Sequence, residues 1–70
     1  MITVTNRDTC KPAYIDADNI LYMEELQDAI DGKLYPFSRV FLKDEKEEHE
    51  YSLDVIESKA KIENLVKEKN

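Results

Sequence analysis

The sequence is poor in the residues that usually carry chemistry. Cys10 is the lone cysteine of 70 residues, which excludes an intrachain disulfide and any cysteine-based metal cluster. His49 is the lone histidine, and no Ser/His/Asp spacing supplies it with a nucleophile and an orienting partner. Gly32 is the lone glycine, so a calcium loop, which pivots on a central glycine, has none where it is needed. Apolar runs are short. The longest covers residues 20–23, against the roughly 20 residues of a membrane-spanning helix. Met1 leads straight into Ile-Thr-Val-Thr, without a basic leader or an apolar stretch behind it. The expectation is a cytoplasmic protein with no membrane insertion.

Positive charge is scarce as well. Ten Lys+Arg face sixteen Asp+Glu, a formal net charge of -6. Excess negative charge repels phosphate backbones and anionic lipid, so nucleic acid and membrane surfaces are both disfavoured as partners. Charged residues make up 37% and apolar ones 41% of the chain, a globular rather than a disordered balance. A chain this short forms a single small domain over residues 1–70 and hides only about 60% of its unfolded surface. Its radius of gyration, if compact, is on the order of 11 Å. That leaves little room for a deep cleft, and the expectation is that the protein is not an enzyme. A site shared across a dimer interface is the one route around this limit.

What is present is β-strand patterning. Residues 37–43 read Phe-Ser-Arg-Val-Phe-Leu-Lys, and residues 44–48 carry no apolar side chain. After them Tyr51, Leu53 and Val55 alternate with Glu50, Ser52 and Asp54, the period of a half-buried strand. A hairpin over residues 37–57 follows, closed by a longer loop from Asp44 because Asn-Gly and Asp-Gly are missing there. Upstream, Ile2-Thr-Val-Thr, a turn around residues 6–12 and Pro12-Ala-Tyr-Ile predict a hairpin over residues 2–16.

Residues 20–31 are ambiguous. Ile20-Leu-Tyr-Met suits a buried strand, while Tyr22, Leu26, Ala29 and Ile30 fall on a helical stripe with Gly32 at the helix C′ position. The reading adopted is a short strand over residues 20–24, a helix over residues 25–31 and a loop over residues 32–36. At the end of the chain Ser58 is an N-cap, and Ile62, Leu65 and Val66 form the apolar stripe of a helix over residues 59–68. The fold class is α+β: a mostly antiparallel sheet of four or five strands covered by the C-terminal helix.

This order of elements resembles the FlbD/SwrD-like proteins, small flagellum-associated accessory proteins of bacteria. The matching residues are Ile2, Val4, Thr5, Lys11, Tyr14, Ile15 and Ile20, then Val40, Leu42, Tyr51, Val55, Glu57, Ser58 and Ile62. The most specific part is Val55-Ile-Glu-Ser. The chain departs from the family in four places. Cys10 stands where the family carries glycine, Asp16 replaces asparagine, residues 26–36 are longer than the family norm, and the turn at Asp44 lacks the family's Asn-Gly. The resemblance implies a bacterial accessory role and supplies no catalytic residues.

Other combinations weigh towards structural roles. His49 lies between Glu48 and Glu50 beside a hairpin tip, and one histidine with exposed carboxylates is a poor metal site. Asp16, Asp18 and Asn19 start like a calcium loop, but Gln27 stands where the bidentate glutamate belongs. They read as a turn and cap. Glu24 and Glu25, like Glu47 and Glu48, are sequence neighbours and point to opposite faces of a strand. Cys10, near Arg7 and Lys11, reads as turn filler. Tyr14, Tyr22, Tyr35, Phe37, Phe41 and Tyr51 offer a stacking platform for single-stranded nucleic acid. With few other large side chains, most of them are expected in the core.

No catalytic, cofactor-binding or metal-binding residue is assigned, and no cofactor is expected. The function expected is protein–protein interaction, as a small bacterial accessory or regulatory protein with an unidentified protein partner. Open sheet edges also admit a homodimer, by edge pairing or helix packing. The alternatives are a nucleic-acid-binding regulator using the strand aromatics and a phage or mobile-element accessory protein.

Overall fold

The computed structural model describes residues 1–69. Strands β1 (Ile2–Thr5) and β2 (Pro12–Ile15) form an antiparallel hairpin with Ile2 opposite Ile15 and Thr5 opposite Pro12. The loop between them is held by Asn6, whose side-chain oxygen accepts from the amides of Asp8 and Thr9 at 2.8 and 3.2 Å. Asp16 caps a single helical turn at Ala17–Asn19 by accepting from the Asp18 amide at 3.0 Å. Three long elements follow: β3 (Ile20–Ile30), β4 (Lys33–Lys43) and β5 (Glu50–Val55), a second antiparallel sheet in that order. Helix α1 (Lys59–Lys69) closes the chain.

The fold is thus α+β, with two antiparallel sheets of two and three strands and one C-terminal helix. It is not the single sheet of four or five strands that strand count suggested. The sheets meet at one corner. Asn6 bridges Val55, the Arg7 amide donates to the Asp54 carbonyl at 2.9 Å, and the Ile56 amide donates to the Thr5 carbonyl at 3.1 Å. Those bonds draw the chain away from β4 after Val55, so β5 ends there and not at Glu57. Glu57 fastens the corner instead. Its carboxylate accepts from the amide and the hydroxyl of Thr5, each at 2.8 Å, and its carbonyl accepts from the buried Ser38 hydroxyl at 2.7 Å. Ser38 is the one buried polar residue among the described residues, and that bond satisfies it.

One core lies between the sheets and the helix. Ile2, Val4 and Ile15 come from the first sheet, Val40, Leu42 and Val55 from the second, and Ile62 from α1, with Leu53, Met23, Leu65 and Val66 packed around them. The helical stripe Ile62, Leu65, Val66 is therefore the face that docks, as its spacing required. Ser58 is the N-cap: its hydroxyl accepts from the Lys61 amide at 3.2 Å and its carbonyl from the Ile62 amide at 3.0 Å.

The region from Ile20 to Pro36 differs most from the sequence reading. Residues 25–31 hold no helix; residues 25–30 belong to an eleven-residue strand, β3. Residues 33–36 are no loop either, because they are the start of β4. The signal was degenerate. Tyr22, Leu26 and Ile30 are four apart, a spacing that shares a face in an α-helix and equally in a strand. The arbiter is Asp31-Gly32, whose φ angles of 51° and 78° are both positive. That is the two-residue primed turn that closes a tight hairpin, with Gly32 as its most permissive position rather than a helix terminus. Pro36 fits within β4 for a reason of register. Ile30–Lys33 is the hydrogen-bonded pair that closes the turn, so Gln27–Pro36, three pairs on, is a non-bonded pair. The missing N–H of Pro36 faces away from β3, where β5 does not reach.

Candidate interaction surface

Because β5 pairs with β4 only from Ser38 to Lys43, residues 33–37 and their partners 26–30 form a two-stranded arm beyond the body. Five residues of strand extend about 17 Å. The arm accounts for the shape: the extents are 40 × 27 × 20 Å, and the radius of gyration of 12.5 Å exceeds that of a compact chain of this length.

Beside the exposed Gln27, Asp31 and Lys33, the arm shows large apolar side chains to solvent. Leu34 is 63%, Ile30 53% and Tyr35 47% exposed. They lie on both faces of the ribbon, since Ile30 and Tyr35 share one face and Leu34 takes the other. At the root, Phe37 is buried on the first of these faces under Arg7, whose guanidinium carbon is 4.0 Å from the ring centroid. Arg7 also pairs with Asp28 on β3. This one side chain ties the β1–β2 loop to the arm and holds its base in place. On the opposite face an open depression of about 340 Å3 lies between the arm and the body, lined by Gln27, Pro36, Ser38 and Ile56 among others.

The outer face of the three-stranded sheet continues from the arm. Arg39 and Asp54 face each other across β4 and β5 and form a two-pronged ion pair at 2.7 and 3.1 Å. Asp54 is held below the ordinary carboxylate range, first by the hydrogen bond from Arg39 and further by the charges of Arg39 and Arg7, against a desolvation that pushes it up. Beyond this pair Tyr22 and Phe41 stack with ring centroids 4.3 Å apart. The expectation that most aromatics are core is corrected here. Tyr14, Tyr22, Tyr35 and Tyr51 are all exposed, while Phe37 is buried and Phe41 half-buried. The core is filled by aliphatic side chains instead.

β3 is the outer strand of its sheet, paired on one side with β4 and on the other with no strand among the described residues. It carries Glu24, Glu25 and Asp28 and no lysine or arginine. Glu24 and Glu25 point to opposite faces, as alternation requires. Glu24 lies across from Arg39, whose donor fork is already taken by Asp54.

The residues weighed for metal or nucleophilic chemistry lie in turns and a cap. His49 comes together not with Glu48 and Glu50 but with Glu47 and Asp44, their ligand atoms lying within 4.8 Å of one another. The Asp44 carboxylate is already engaged, accepting from the amides of Lys46 and Glu47 at 2.9 and 3.4 Å. The loop is closed by the Asp44 amide donating to the His49 carbonyl at 2.8 Å. It is an organised turn. Asp16 and Asp18 form the cap described above. Cys10 is exposed and sits at φ 58°, which explains why a glycine suits this turn. The protruding arm escaped the sequence reading, although Asp31-Gly32 was the signal that would have found it.

No helix among the described residues is long and apolar enough to cross a membrane. Comparisons with protein-family models, curated proteins and solved structures returned no match.

Proposed function

We propose that this chain is a protein-interaction module that engages its partner through the β3–β4 arm. The observation that carries this reading is the exposure of Ile30, Leu34 and Tyr35 on a ribbon held away from the body. A two-stranded hairpin is marginal in water on its own. Three large side chains on it stand outside the core and are about half or more exposed, and aromatic and aliphatic anchors of this kind are what protein interfaces bury. The body supplies a rigid base through the Arg7 clamp, so a partner meets a surface that is already ordered.

The residues shared with the FlbD/SwrD-like pattern support a common scaffold. Val55 is core, Thr5 and Glu57 fasten the corner, and Ser58 caps the helix. A non-enzymatic accessory role in a bacterium is part of this proposal. A photo-crosslinking residue placed at Tyr35 should form adducts with a partner in lysate of the source cell, whereas one at Tyr14, on the other sheet, should not. Equal labelling from both positions, or none from Tyr35, contradicts the arm as the interaction element.

A second reading draws on the exposed Tyr22–Phe41 stack, which with Glu50, Tyr51 and Ser52 lines a shallow depression of about 260 Å3. Bases stack on such a platform. The acidic surroundings weigh against it, and absence of oligonucleotide binding at low salt would end it.

A further inference from the structure

We propose that the open edge of β3 takes an extended, basic segment of a partner protein as an added strand, with one apolar side chain of that segment seated between β3 and α1. This rests on the arm as the interaction element and specifies what it receives.

The first observation is the disposition of backbone groups. Counting from Ile30–Lys33, the hydrogen-bonded pairs are Asp28–Tyr35, Leu26–Phe37 and Glu24–Arg39. The N–H and C=O groups of Met23, Glu25, Gln27 and Ala29 therefore point away from β4. No strand among the described residues meets them. The register is continuous from Tyr22 to Ile30, with its one irregularity before Tyr22, so an incoming strand finds an even ladder.

The second observation lies at the body end of the same edge. An open groove of about 360 Å3 runs between β3 and the helix, with Ala17, Ile20, Met23 and Val66 as its apolar wall and Glu63 and Lys67 at its rim. Met23 belongs to both features: its backbone groups face the open edge and its side chain faces the groove. A residue paired opposite Met23 lays its inward side chain beside it, over the groove. Main-chain bonds then supply affinity and the groove selects an apolar residue, the division of labour of strand addition.

Charge selects the occupant. Glu24 and Asp28 lie on one face of β3 and Glu25 on the other, with no basic residue in the strand; Arg7 already pairs with Asp28, which leaves Glu24 and Glu25, one on each face, to meet an incoming strand. A neighbouring strand meets carboxylates on both of its faces, which favours lysine or arginine there. A second copy of β3 brings the same carboxylates against these, so the edge disfavours self-pairing.

The probe is a capped ten-residue peptide of alternating lysine and valine, added to the full chain and followed by amide-resolved hydrogen exchange. At saturation the amides of Met23, Glu25, Gln27 and Ala29 should slow at least tenfold, and a peptide with glutamate in place of lysine should leave them unchanged. Gln27→Pro removes an outward N–H without touching the β4 ladder and should weaken binding at least tenfold. Should that variant fail to fold, Glu24→Lys, an exposed charge reversal on the face that meets the peptide's lysines when a valine sits opposite Met23, should weaken it comparably. Equal binding of a lysine–proline peptide, which cannot form the ladder, would mean charge attraction alone and overturn the proposal. So would edge amides already protected in the free chain in proportion to its concentration, because a second copy is then the occupant. Crosslinking from Tyr35 that persists in Gln27→Pro would reject the edge as the site while leaving the arm as the interaction element.

Discussion

Replacing Glu57 with alanine tests how the two sheets are joined. Its carboxylate accepts two hydrogen bonds from Thr5, both at 2.8 Å, across 52 residues of sequence. Bonds to a charged acceptor contribute about 1.5–3 kcal/mol each where water is partly excluded, and removal also strands the Thr5 amide. Shared geometry makes the two less than additive, so Glu57→Ala should cost about 2–4 kcal/mol. A chain of this length has roughly 4–10 kcal/mol in all. The loss should lower Tm by at least about 8 °C, since each kcal/mol moves a domain of this size by about 4–8 °C. Urea and thermal unfolding followed by circular dichroism read both quantities. Glu57→Gln, which keeps one acceptor oxygen, should fall between the two. A double-mutant cycle with Thr5→Val isolates the pair and should show a coupling of at least about 1 kcal/mol. A Glu57→Ala effect under about 0.5 kcal/mol, typical of a bland surface position, would refute the clasp.

Four further outcomes are expected. Val55→Asp puts a carboxylate into the fully buried heart of the core and should abolish cooperative melting, a loss above about 4 kcal/mol. Ser58→Ala removes the helix N-cap and should cost about 1 kcal/mol by urea titration. Gly32→Ala meets no atom within 4 Å but must hold φ near 78°, so its cost of about 1 kcal/mol is purely conformational; it should appear as faster amide exchange in the arm. Asp54 has its folded pKa depressed, chiefly by the Arg39 hydrogen bond. Its contribution is therefore complete above the unfolded value of about 3.9 and is lost as pH falls through the lower folded value. Asp54→Asn should cost about 1 kcal/mol at neutral pH, the upper end for a partly exposed pair, and that difference should vanish at strongly acidic pH. A difference that stays constant with pH contradicts the assignment.

Where periodicity had one interpretation, the sequence was legible. Val4, Val40, Val55 and Ile62 all lie in the core, and the helix starts after Ser58 as its cap geometry required. Tyr22, Leu26 and Ile30 defeated the reading because their spacing suits both periods, and the composition of residues 23–30 favoured helix over a strand whose neighbour was unknown. Asp31-Gly32 held the resolving information, as a hairpin turn requiring positive φ at both positions. The way the two sheets join was not legible, since it depends on a bridge between Asn6 and Val55 that no local pattern records. The same holds for the interaction surface. Exposed tyrosines and buried ones look alike in a sequence, and only the length of β5 reveals that the arm stands free.

The most direct measurement is amide-resolved hydrogen exchange along β3 in the free chain at low concentration. The amides of Tyr22, Glu24, Leu26, Asp28 and Ile30 should be protected by β4, while those of Met23, Glu25, Gln27 and Ala29 exchange freely, an alternation that marks an ordered strand with an open edge. Protection running through every residue of β3 would mean the edge is already filled, and loss of protection in both sets would mean the arm does not hold its shape. Either result contradicts a preformed arm waiting for its partner.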